Sequence, residues 1–139
     1  MKIALPPTYT VSFRFRKILV PVDGSDNSLR ALELALDFAQ RYGSRITILH
    51  VKPEGSKTKI REELIARYGD IIKSVEFKIR EYNPQLSSPA SEVLKEIFEE
   101  SYDLVILGAR GTTINENIQL GSVASSVIFN APISVIIVR

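Results

Sequence analysis

The sequence predicts an α/β domain in which a mostly parallel sheet is covered by helices on both faces. Short apolar runs suited to strands alternate with segments of helical period from about residue 17 to the C-terminus. The first and fourth of those runs are apolar throughout, as strands buried on both faces must be. The 139 residues suffice for one hydrophobic core but not for two, and 45% hydrophobic with 24% charged residues is the balance of a folded chain.

The elements follow in order. Ile18-Leu19-Val20-Pro21-Val22 is a continuous apolar run that ends in the turn cluster Asp23-Gly24-Ser25-Asp26. Asn27 to Tyr42 has helical period, with Leu29, Leu32, Leu36 and Ala39 on one stripe and Gly43 at the C-cap position. Ile46 to Val51 reads as the second strand, closed by Lys52-Pro53-Glu54-Gly55. A second helix is expected from about Thr58, with Ile60, Leu64, Tyr68 and Ile71 in register and Gly69 weakening its last turn. Val75, Phe77 and Ile79 alternate with Glu76, Lys78 and Arg80, the pattern of a half-exposed strand at a sheet edge. Ser88 caps and Pro89 opens a third helix whose inward residues are expected to be Val93, Leu94, Ile97 and Phe98. Leu104 to Leu107 is the fourth strand, a loop from Gly108 leads to a helix starting near Gly121-Ser122, and Ile133 to Val138 is the last strand.

Residues 1–16 form a separate N-terminal arm ahead of a domain over 17–139. Residues 1–17 contain Lys2, Arg14, Arg16 and Lys17 and no acid, which leaves 14 basic and 16 acidic residues in the rest, net −2. Tyr9, Val11, Phe13 and Phe15 alternate with Thr10, Ser12, Arg14 and Arg16, so the arm is expected to add a strand to its own sheet or to a partner subunit. An overall charge of +2 gives no argument for nucleic acid. No apolar run approaches a membrane span, and the N-terminus lacks the form of a signal peptide. Cysteine is absent, which removes disulfides, thiolate metal sites and cysteine nucleophiles; with the missing leader this points to a cytoplasmic location. One histidine leaves little for transition metals, whereas oxygen-ligated magnesium or manganese is compatible with the composition.

The chemistry concentrates between the fourth strand and the last helix. Gly108, Gly111, Gly121 and Ser122 form the pattern G-x2-G-x9-G-S, whose first glycine ends a buried strand and whose last opens a helix. Gly108 is expected to let a ligand approach the strand end, Gly111 to permit a left-handed turn, and Gly121, Ser122 and Val123 to offer backbone N–H groups to an anion at a helix N-terminus. Arg110, Thr112 and Thr113 add donors within the loop. A P-loop is absent, and no Ser–His–Asp set can be argued. His50, at a strand end, reads as a hydrogen-bonded structural residue rather than a catalyst. Asp23 has two readings, a ligand residue or one of several turn and capping residues among Asp23, Ser25, Asp26 and Ser28.

The glycine pattern, the opening Ile18-Leu19-Val20-Pro21-Val22-Asp23-Gly24-Ser25 and the strand end Leu49-His50-Val51 resemble the universal stress protein family, over about Lys17 to Arg139. The glycine pattern is that of the family's ATP-binding branch. The resemblance implies a Rossmann-like five-stranded parallel sheet in the order 3-2-1-4-5, with ligand at the switch point between strands one and four. It implies that Pro21, Asp23 and Val51 lie around adenine and ribose, that Leu107, Gly108 and Gly111 line the ribose and first phosphates, and that Gly121, Ser122 and Val123 hold the phosphate tail. Where some members have a hydroxyl residue after the Ser-Val pair, this chain has Ala124, which removes one phosphate donor. The implied ligand is ATP, or AMP or ADP, with Mg or Mn on the phosphates. The implied assembly is a homodimer through strand 133–138, an apolar strand that would otherwise be a bare sheet edge. Three functions follow from different classes: a nucleotide-responsive homodimeric switch in the stress response, a slow ATP- or AMP-processing enzyme using Arg110 and Asp23, and a structural dimer module with an empty loop.

Overall fold

The computed structural model describes residues 15–111 and 120–139. Most of the alternating arm, and Thr112 and Thr113 of the loop, lie outside the described residues. Five strands are described: β1 (Lys17–Pro21), β2 (Arg45–Pro53), β3 (Glu76–Tyr82), β4 (Leu104–Gly108) and β5 (Ser134–Val138). Four helices accompany them: α1 (Asp26–Tyr42), α2 (Ile60–Tyr68), α3 (Pro89–Glu99) and α4 (Ser122–Asn130). Every strand pairing is parallel and the sheet order is β3-β2-β1-β4-β5, so the direction of winding reverses between β1 and β4.

The apolar runs divide their side chains between two layers because strand residues alternate in direction. Ile18, Val20, Ile46, Ile48 and Ile106 face the side covered by α1 and α2, where Leu32, Leu36 and Leu64 meet them. Leu19, Leu49, Val105 and Leu107 face the other side, against Val93 and Ile97 of α3 and Val127 of α4. Helix α1 starts and stops where local chemistry dictates. The Ser25 hydroxyl accepts from the Ser28 N–H, and Gly43 ends the helix at φ 67° with its N–H on the Ala39 carbonyl.

At three elements the side-chain pattern departs from the expectation. Gly69, at φ 76°, ends α2 and starts a 3₁₀ turn over Gly69–Ser74, which advances the phase by one residue. Ile72 is therefore fully buried and Ile71, expected inward, is 37% exposed. On β3, Ile79 is 45% exposed although the alternation placed it inward. On α3, Phe98 is 63% exposed, and Glu92 and Glu96 take the buried positions at 6% and 2%.

One cluster accounts for the last two departures. Lys78 Nζ donates to Glu96 Oε2 at 2.8 Å, Arg80 Nη1 donates to Glu96 Oε1 at 3.0 Å, and the Tyr102 hydroxyl donates to Glu96 Oε2 at 2.6 Å. The Ser87 hydroxyl donates to Glu92 Oε2 at 2.5 Å. The polar face of β3 is thus covered by the acidic face of α3 rather than by water. A buried carboxylate is tolerated only with partners of this kind. The strand β5 begins at Ser134, one residue later than expected, and lies at the sheet edge beside β4 alone. Phe15, the last apolar residue of the arm's alternation, packs its ring 5.4 Å from Phe38 and 5.3 Å from Tyr42.

Candidate functional site

A cavity of about 730 Å³ opens at the carboxyl ends of β1, β2 and β4, the position at which open parallel sheets hold ligands. All ten residues singled out from the sequence line it: Pro21 and Asp23 after β1, Val51 on β2, Leu107, Gly108, Arg110 and Gly111 at the end of β4, and Gly121, Ser122 and Val123 at the start of α4. The fold therefore brings together residues that are a hundred positions apart in the chain.

Asp23 does not cap α1; Ser25 does. Asp23 Oδ1 instead accepts from the Ser25 N–H at 2.9 Å and from the Ser25 hydroxyl at 2.6 Å, an Asx turn that fixes the carboxylate's orientation. Its Oδ2 points across the crevice. A Cβ added at Gly111 would come within 2.8 Å of that atom.

The glycines serve this geometry for reasons other than those expected. A Cβ at Gly108 would lie 2.7 Å from the Asn27 carbonyl carbon and 2.9 Å from the Ser28 nitrogen, so this glycine admits the first turn of α1 against β4 rather than a ligand. Gly111 is not in the left-handed region, and what excludes a side chain there is the Asp23 carboxylate. The Gly121 N–H, expected to be offered to an anion, donates to the Ala109 carbonyl at 2.7 Å and so closes the loop at its neck. The first turn of α4 then supplies the donors: among the described residues, none accepts from the N–H groups of Ser122, Val123 or Ala124.

The second wall comes from the β2–α2 connection, which the sequence reading left out apart from Val51. Lys52, Ser56, Lys57 and Thr58 line the cavity, as do Pro89 and Val93 of α3. Periodicity carries no signal for a connection of this kind. The general position of ligands at strand ends next to the switch point was the one clue to it. Lys52 pairs with Glu81 at 2.9 Å and also donates to the Ser56 carbonyl, which holds the connection against β2. The hydrogen bond and charge of Lys52 keep the Glu81 carboxyl below its ordinary range. With Lys52 balanced by Glu81, Lys57 and Arg110 still outnumber Asp23, the one carboxylate among the described lining residues, an excess of one positive charge on the cavity wall. Among the described residues, no group of three or more His, Asp or Glu side chains is placed to hold a metal, and no helix is long and apolar enough to cross a membrane.

Known proteins share this architecture. A universal stress protein of Methanocaldococcus jannaschii is 31% identical over 140 residues, covering 90% of this chain and 82% of its own. The structure of universal stress protein UspA from Lactobacillus plantarum superposes with a TM-score of 0.70 at 25% identity, over 92% of this chain and 100% of that one. A universal stress protein of Archaeoglobus fulgidus, solved in complex with dAMP, has the same fold with a TM-score of 0.59 at 24% identity, over 91% of this chain and 100% of its own. The sequence model of the universal stress protein family matches residues 14–139, which takes in the sheet, the crevice and the glycine pattern, and the chain belongs to that family.

Proposed function

We propose that this chain is an ATP-binding module that works as a nucleotide-responsive homodimeric switch in the stress response. The observation that carries the reading is the convergence of the ten residues on one cavity beside the N-terminus of α4. The dAMP complex of the Archaeoglobus fulgidus relative supports an adenine nucleotide as the ligand class. In this reading Pro21, Asp23 and Val51 surround the base end, and Leu107, Gly108 and Gly111 line the ribose and first phosphates. Gly121 shapes the neck of the phosphate pocket, the N–H groups of Ser122 and Val123 bind phosphate oxygens, and Arg110 reaches the same charge from the loop.

A divalent ion fits the site in one way. With a single carboxylate among the lining residues, Mg²⁺ or Mn²⁺ would be held chiefly by phosphate oxygens and water, with Asp23 as the protein's contribution. The edge strand β5 supports the dimer: its outer row of backbone groups faces no strand among the described residues, and pairing with a second copy would cover it. Sedimentation across a wide concentration range tests this, and a monomer at every concentration would refute the assembly. The division into an N-terminal arm over residues 1–16 and a domain over 17–139 belongs to the same proposal, with Phe15 and Arg16 at the boundary joined to the domain through Phe38, Tyr42 and the Arg45 N–H.

The test of the ligand is to denature the purified protein and identify what it releases by chromatography and mass. Recovered ATP supports the reading. Recovered AMP or ADP favours the processing enzyme, for which Arg110→Ala should abolish turnover with binding retained. No adenine nucleotide, even after incubation with ATP and magnesium, would leave the structural dimer module.

A further inference from the structure

We infer that His50, the chain's one histidine, is a positioning residue that holds the two loops of the cavity at a fixed spacing. The inference rests on the adenine-nucleotide reading of the site. Two ring contacts carry it: His50 Nδ1 lies 2.8 Å from the Val22 carbonyl oxygen, and Nε2 lies 3.3 Å from Thr58 Oγ1. A carbonyl oxygen can only accept, so Nδ1 carries the proton, and in the neutral ring Nε2 accepts from the Thr58 hydroxyl. Thr58 Oγ1 in turn accepts from the Ile60 N–H at 3.1 Å, in the first turn of α2. The chain of bonds runs from the loop after β1, through the ring, to the start of α2.

Both ends of that chain are cavity wall. Val22 lies between Pro21 and Asp23, and its N–H is taken by the Leu49 carbonyl at 2.8 Å, so β2 holds both of its backbone groups. Val22, His50 and Thr58 all line the cavity. Among the described residues, no other hydrogen bond joins the 56–58 segment to the loop that carries Asp23. Without the ring the two walls keep the packing of Ile60 beside Gly24 but lose their hydrogen-bonded spacing, which a ligand lying between them would have to restore.

The test is a double-mutant cycle on nucleotide affinity. His50→Asn keeps a donor near the Nδ1 position and loses the reach to Thr58; Thr58→Val removes the hydroxyl at constant shape. The geometry predicts that each variant weakens ATP binding by about 3- to 10-fold, the usual worth of one hydrogen bond. The double variant should be no weaker than the worse single one, and Thr58→Ser should bind like the wild type. Additive losses, or affinities unchanged in both single variants, would overturn the inference while leaving the site reading intact. Nitrogen-15 NMR of the ring gives an arm independent of ligand: the Nδ1-protonated tautomer, with faster exchange of the Ile60 amide in His50→Asn, supports the latch, and an Nε2-protonated ring defeats it. If the wild type binds no adenine nucleotide, the site reading fails and the NMR arm alone decides whether the loops are latched.

Discussion

Replacing Gly108 by alanine is expected to destabilise the fold and disturb the site together. The added methyl carbon would lie 2.7 Å from both the carbonyl carbon and the Cβ of Asn27 and 2.9 Å from the Ser28 nitrogen. Carbon atoms rest about 3.5–4.0 Å apart, so the deficit is close to ~1 Å against backbone that cannot swing away. Relief requires the first turn of α1 to lift off β4. Overpacking of this kind costs about 1–3 kcal/mol, which for a domain of this size lowers Tm by roughly 4–12 °C. The same turn holds Asp23 through Ser25 and Ser28, so nucleotide affinity should fall as well. Urea denaturation with an unchanged m-value reads the first effect and calorimetric titration with ATP the second. Two sister variants act as controls. Among the described residues Gly111→Ala meets the Asp23 carboxylate alone, a side chain held by Ser25 rather than a helix backbone, so it should lose affinity with a smaller loss of stability than Gly108→Ala. Gly121→Ala places its methyl no closer than 3.4 Å to any of the described residues and should stay within about 0.5 kcal/mol of the wild type. A Gly108→Ala protein that melts within a degree of the wild type would refute the packing argument.

Other perturbations separate the remaining claims. Glu96→Gln removes the charge that Lys78 and Arg80 share at 2.8 and 3.0 Å and should cost about 2 kcal/mol in urea denaturation, because both cations are part-solvated; an unchanged midpoint would show the cluster to be energetically idle. Burial pushes the Glu96 carboxyl up, but hydrogen bonds from Lys78, Tyr102 and Arg80 outweigh it and hold it below the ordinary 4.5; the Ser87 hydroxyl, against burial and with help from Lys95 and Arg80, does the same for Glu92. The unfolded chain therefore binds these protons more readily than the native one, and stability present above about pH 4.5 is lost as pH falls through the native values. Denaturation midpoints followed from about pH 6 to about pH 3 should drop more steeply in the wild type than in Glu96→Gln, and parallel slopes would contradict this. Ser25→Ala loses the α1 N-cap and a donor to Asp23, so it should cost about 1 kcal/mol by thermal melting and weaken ATP binding too; an effect on neither would dismiss the Asx-turn account.

The fold was legible where burial is two-sided. The uninterrupted apolar runs of β1 and β4 belong in the middle of a sheet, and the alternation of β3 belongs at an edge, which is where the strands lie. The side-chain assignments of β3 and α3 were not legible in the same way. A helical wheel ranks Phe98 above Glu92 and Glu96, yet the cations of β3 lie under that helix and their partners must face them. Neither segment shows this alone, because the pairing is made by the crossover between them. The crevice shows a related split. The positions Gly108, Gly111 and Gly121 were readable as a constellation, while their physical causes (a helix turn, a carboxylate and a loop-closing hydrogen bond) required the three-dimensional arrangement. The β2–α2 wall stayed hidden because its residues, Lys52 to Thr58, have the composition of an ordinary loop.

The central claim is that the crevice beside α4 is a nucleotide site, and Gly121→Val tests it most directly. The Gly121 backbone, φ −74° and ψ 171°, accepts a β-branched residue without strain, and among the described residues the nearest neighbours of the new Cβ lie at 3.4–3.6 Å, so the variant should fold. Its two methyl groups would then occupy the neck through which phosphates reach the Ser122 and Val123 N–H groups. In calorimetric titrations with ATP and magnesium, the account predicts saturable binding to one site per chain in the wild type and at least a roughly tenfold loss in a variant of unchanged Tm, the worth of about 1.4 kcal/mol. Equal binding by the two proteins, or none by the wild type, would contradict it.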